Sequence, residues 1–108
     1  MTESTHVKIV VFVPESNADS IRQVMADAGA GILGSYSKAS FSSKGIGRFM
    51  PEEGSHPAIG SIGELERVDE ERIEMVCSRE NAQRVVRAIR TAHPYEEPAI
   101  DVYALETL

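Results

Sequence analysis

The chain contains a single cysteine, Cys77, and no tryptophan. One thiol excludes an intramolecular disulfide framework, and nothing in the cysteine usage points to an oxidising compartment. No apolar run approaches the roughly 20 residues that a membrane-crossing helix needs. Residues Met1 to His6 are polar and lack the basic-then-apolar pattern of a secretory leader, so the expectation is a soluble, cytoplasmic protein without a membrane partner. Positive charge is also scarce: 11 Lys and Arg stand against 17 Asp and Glu, for a formal net charge of -6. The basic residues are scattered. That excludes nucleic acid as a main partner, because neutralising phosphates requires a clustered basic face.

What is present suits one modest globular domain. The 108 residues are 42% hydrophobic, and a chain of this length buries roughly two-thirds of the surface its unfolded form exposes. We therefore expect a single domain over 1–108, with residues 1–5 disordered.

The clearest organisation is an internal echo. Val7 to Val13 is a β-branched run that reads as a buried strand. Ser16 follows as an N-cap candidate, with Asp19 three residues on. Ile21, Val24, Met25 and Ala28 then recur at helical spacing, and Gly29 and Gly31 close the helix. Arg72 to Cys77 repeats the strand, Ser78 the cap, and Ala82, Val85, Val86 and Ile89 the helical stripe. Arg84, Arg87 and Arg90 fall on the solvent side of this second helix. Between the halves, Tyr36 to Phe49 reads as a long strand with a bulge or bend at Gly45 and Gly47. Pro51 to Gly63 reads as a loop, Glu64 to Cys77 as a second long strand, and Ala99 to Leu105 as the last.

Strand, helix, strand, strand, helix, strand is the split βαβ order. It implies an α+β, ferredoxin-like fold in which two helices cover one face of a four-stranded antiparallel sheet. The other face must be polar or buried by another copy of the chain.

The local motifs are weighed against plainer roles. Gly29-Ala30-Gly31-Ile32-Leu33-Gly34 matches G-x-G-x-x-G in form, yet it follows a helix and precedes a strand, the reverse of the dinucleotide fingerprint. It terminates a helix. Lys44, Gly45, Gly47 and Arg48 form a glycine-rich, basic stretch able to cradle an anion, and they are the ligand-binding candidates. The plainer reading is a bent strand, since no helix start follows. Cys77 reads as a small buried hydrophobe, and no nucleophile–base pair or catalytic residue can be assigned.

His93-Pro94-Tyr95-Glu96-Glu97-Pro98 packs a histidine, a tyrosine and two carboxylates between prolines. Pro94 ends the helix at His93, where the imidazolium would serve the last helix carbonyls. Tyr95 would lay its ring on a proline or on the core. As a metal site the motif offers His93, Glu96 and Glu97, with His56 from the loop as a further donor for a divalent transition metal.

Taken together, Gly45-Ile46-Gly47-Arg48-Phe49-Met50-Pro51, Gly54-Ser55-His56-Pro57, Gly63-Glu64-Leu65-Glu66, Arg72-Ile73-Glu74 and His93-Pro94-Tyr95-Glu96-Glu97-Pro98-Ala99 resemble the inserted domain of the Nif-three-like (YqfO/YbgI-type) proteins. The resemblance runs from Val7 to Glu106 and implies a fold similar to CutA and the PII signalling proteins, which form trimers. Longer members carry a dinuclear-metal core on both sides of this insertion. This sequence holds only the insertion, so a hydrolase or cyclohydrolase role does not transfer. The resemblance implies a non-enzymatic, homotrimeric binding or regulatory module that holds a small ligand or a partner protein at inter-subunit clefts. The alternative is CutA-like copper or zinc binding linked to metal tolerance.

Overall fold

In the computed structural model, which describes residues 4–106 and 108, the chain forms β1 (His6–Pro14), a 3-10 turn (Glu15–Asn17), α1 (Ala18–Asp27), β2 (Phe41–Phe49), β3 (Glu66–Ser78), α2 (Arg79–Ala92) and β4 (Ile100–Ala104). The sheet order is β2-β3-β1-β4, and all three pairings are antiparallel. This is the ferredoxin-like arrangement expected from the element order. Of the segment expected to be disordered, residues 1–3 lie outside the described residues. The Thr5 carbonyl accepts the Arg79 backbone N–H at 2.9 Å.

Strand alternation assigns the two faces. Val7, Ile9, Val11 and Val13 of β1 and Ile73, Met75 and Cys77 of β3 point to the helices and join one buried cluster with Ile21, Met25, Val85 and Ile89. Burying each large aliphatic side chain of this kind stabilises the fold by about 1.5–3 kcal/mol. Arg22 of α1 reaches down to the same side, donating to Ser42 at 2.9 Å and Glu71 at 2.7 Å. Arg84, Arg87 and Arg90 are exposed on α2 as the stripe requires.

The opposite face carries no helix. One register row across it reads Asp101, Val10, Glu74, Phe41, and the next reads Tyr103, Lys8, Val76. Charge covers part of this surface: Glu74 pairs with Arg72 at 3.0 Å and Lys8 at 3.4 Å, and the Arg72 guanidinium lies over Phe12. Phe41 and Tyr103, on the two outer strands of the same face, are 65% and 47% exposed.

Several local expectations are corrected. β2 begins at Phe41, not Tyr36. The preceding residues instead form a tight loop closed by a Leu33–Tyr36 bridge and by donation from Ala39 N–H to the Gly31 carbonyl at 2.8 Å. No bulge interrupts β2, since its register against β3 is continuous from Phe41↔Glu74 to Phe49↔Glu66. Ser16 does not cap α1. A 3-10 turn intervenes, Asn17 takes the N-cap position, and Ser16 Oγ donates to Asn17 Oδ1 at 3.3 Å. Ser78 does occupy the N-cap of α2, but its hydroxyl makes no capping bond and is buried without a partner among the described residues.

Candidate functional site

Two irregular segments meet at one end of the uncovered face. The first is the loop after β2, pinched at its neck where Gly63 N–H donates to the Pro51 carbonyl at 2.8 Å. Gly63 has φ +78°, a conformation that side-chain-bearing residues rarely adopt. The second is the corner His93 to Pro98 between α2 and β4. They are tied by His56 N–H, which donates to Glu96 Oε1 at 3.0 Å. Between them and the sheet lies a cavity of about 350 Å³, walled by Phe12, Phe49, Met50, Pro57, Ile59 and Tyr95 with Glu70, Glu96 and Glu97 among its polar groups.

Glu70 and Tyr95 are the centre of this arrangement. Glu70 lies on the uncovered face of β3 and is only 7% exposed. Its Oε2 accepts the Tyr95 hydroxyl at 2.7 Å. Burial, with the Glu70 bond and charge adding to it, holds the Tyr95 phenol well above its ordinary pKa, so the hydroxyl stays a donor. Gly47 makes room for the carboxylate. A Cβ at that position would stand 2.2 Å from Glu70 Oε1, far inside contact distance. The glycine read as a bend is therefore a cradle.

His93 holds Tyr95 in place, which corrects the role expected of it. Its ring does not serve the helix end. Nε2 lies 2.8 Å from the Phe12 carbonyl, and Nδ1 accepts the Tyr95 backbone N–H at 3.1 Å. One nitrogen must carry a proton and the other must not, so the imidazole is the neutral Nε2–H tautomer. Burial lowers its pKa, against smaller opposing effects of the Phe12 bond and the Glu70 charge. With both nitrogens engaged, His93 has no lone pair free for a metal. The Tyr95 ring packs edge-on against Phe49, centroids 5.7 Å apart, rather than on a proline.

The other candidates divide. Gly47 and Arg48 line the cavity, while Lys44 lies elsewhere, 3.7 Å from Glu15, and Gly45 faces open space. Glu96 and Glu97 line the cavity, and His56 joins them only through its backbone. Among the described residues no group of three or more His, Cys, Asp or Glu is placed to hold a metal ion. Cys77 is buried, and burial raises its thiol pKa, which suppresses thiolate reactivity. The sequence reading missed Glu70, Phe12 and Phe49 as wall residues; the signal was Gly47, a strand glycine that pairs with Val68 and leaves room for the Glu70 carboxylate.

No family model matches the chain. Comparison with known proteins nevertheless gives strong relatives. A protein of Halalkalibacterium halodurans named "GTP cyclohydrolase 1 type 2 homolog" is 49% identical over 104 residues, 96% of this chain and 28% of that protein. The crystal structure of a Bacillus cereus protein related to NIF3 superimposes with a TM-score of 0.83 at 45% identity, covering 99% of this chain and 27% of that one. This chain is homologous to a segment of the NIF3-related proteins. It spans about a quarter of the length of these NIF3-type relatives. The chain also shares its fold with the periplasmic divalent cation tolerance protein CutA of Archaeoglobus fulgidus, at a TM-score of 0.70 and 17% identity over 94% of this chain and 85% of that one. No helix among the described residues is long and apolar enough to cross a membrane.

Proposed function

We propose that this NIF3-type chain is a self-associating binding module, a homotrimer that holds a small ligand or a partner protein in clefts where subunits meet, and not an enzyme. The observation that carries the reading is the position of the cavity. Its walls Phe12, Gly47 and Glu70 belong to the sheet face that no helix covers, the face that also exposes Phe41 and Tyr103. A second chain seated on that face would complete the cleft. The resemblance to trimeric CutA and PII proteins supports three subunits over two. The activity in the relatives' printed name belongs to proteins several times longer and is not extended to this segment.

The test is light scattering on the purified chain together with a thermal-shift screen of nucleotides, small anions and small cations. The reading expects a trimer and a ligand-dependent rise in Tm. A monomer at micromolar concentration, or a trimer blind to every ligand and to co-purifying proteins, contradicts it.

A second reading is copper or zinc binding in which Glu96, Glu97 and His56, which form no donor set within one chain, are completed by donors from a second subunit; the backbone bond that draws His56 to Glu96 favours it. Stoichiometric zinc uptake that disappears in His56→Ala supports it; uptake unchanged by that substitution removes it.

A further inference from the structure

We propose that the cavity between the loop after β2 and the His93 to Pro98 corner is a site for a small organic cation, an ammonium group carried on an apolar body, with Glu70 as its counter-ion. The proposal rests on the pocket reading above and adds the chemistry of the ligand.

Glu70 is incompletely partnered. More than nine-tenths of its surface is buried, yet its hydrogen-bond partner is a neutral phenol that satisfies only Oε2. Oε1 accepts no hydrogen bond from any described residue, and Glu70 takes part in none of the ion pairs among them. That free oxygen belongs to a carboxylate that lines the cavity, and a largely buried charge gains most from a partner of opposite sign. Gly47 gives up its side chain so that this oxygen can sit where it does.

The surroundings select the partner. Phe49 and Tyr95 contribute aromatic walls beside Phe12, whose ring already carries the Arg72 guanidinium; such walls hold an apolar body and attract a cation. The remaining ionisable groups of the lining are Glu52, Glu96 and Glu97 against Arg48. Arg48 alternates to the opposite face of β2 from Gly47, so its guanidinium does not neutralise Glu70. A bare metal ion finds only one buried carboxylate here, and an anion finds mostly like charge. An alkyl- or arylammonium ion meets both a free carboxylate oxygen and apolar walls. A volume of about 350 Å³ lies at the small end of ordinary ligand pockets.

The experiment is an NMR titration of the full chain with benzylammonium, benzyl alcohol and benzoate, three probes of one shape and three charges. The expected result is saturable shifts at Phe12, Gly47 and Tyr95 with benzylammonium alone, weakened about tenfold or more in Glu70→Gln. Should Glu70→Gln fail to fold, Gly47→Ala, which displaces the carboxylate while leaving the charge, is expected to weaken benzylammonium in the same way. Benzoate or benzyl alcohol binding the same residues as tightly overturns the cation assignment and leaves the pocket standing. Benzylammonium binding undiminished by either substitution also overturns it. Silence with all three probes overturns both the ligand chemistry and the small-molecule pocket.

Discussion

The Tyr95 hydroxyl donates to Glu70 Oε2 at 2.7 Å, joining a corner after the second helix to the middle of the third strand across 25 residues of sequence. His93, two residues before Tyr95, fixes the backbone of that corner by accepting its N–H and contacting the Phe12 carbonyl. A short proline-bounded motif thereby becomes a bracket spanning β1 and β3. Its chemical output is one oriented phenol over one buried carboxylate.

Removing the phenol tests the bracket. Tyr95→Phe keeps the ring against Phe49 but leaves Glu70 buried without a hydrogen bond, a loss of about 1–3 kcal/mol. Urea denaturation should show a lower midpoint with an unchanged slope. A variant as stable as the parent would show that the bond contributes nothing net.

Gly47→Ala should cost a similar amount for a linked reason. Its Cβ would stand 2.2 Å from Glu70 Oε1, so the carboxylate must swing away from Tyr95. The two substitutions remove one interaction, and the double variant should be less destabilised than the sum of the singles by about 1 kcal/mol or more. Strict additivity in the double-mutant cycle would separate the glycine from the bracket.

The buried histidine makes stability depend on pH in a defined direction. Its folded pKa lies below the unfolded value near 6.5, so the folded chain binds fewer protons between the two. Stability is then complete above about pH 6.5 and is lost as pH falls from there toward the folded pKa. His93→Gln keeps a donor for the Phe12 carbonyl without the titration. At fixed protein concentration its denaturation midpoint should fall less than the parent's between about pH 7.5 and about pH 5. Equal falls would rule out His93 as the source.

The uncovered sheet face yields a further expectation. Phe41 and Tyr103 are exposed there, on the outer strands β2 and β4. The pair Phe41→Glu and Tyr103→Glu should dissociate the proposed trimer while leaving the helix-side core, and hence the circular dichroism spectrum, unchanged. An assembly that survives both charges would place the interface elsewhere.

How much of this is legible in the sequence differs by element. Both helices are readable because Ile21 and Met25, like Val85 and Ile89, repeat with the period of a helix that rests on one sheet face. The strand order follows from the split βαβ pattern. The start of β2 is not readable, because Tyr36 has strand propensity while the backbone around it is decided by Gly31 and by Lys38 at φ +59°. Glu70 is hidden for another reason. It sits within Asp69-Glu70-Glu71-Arg72, which reads as a solvated stretch, and its partner Tyr95 returns from the far corner. His93 is misread because its local setting, a helix end, suggests a cation. The partner that decides its charge, the Phe12 carbonyl, is 81 residues away.

The most direct test of the central claim, self-association through the face that carries the cavity, is native mass spectrometry of the purified chain, alone and with benzylammonium. The account predicts a species of three chains that takes up the amine. A species of one chain, with or without amine, would contradict it.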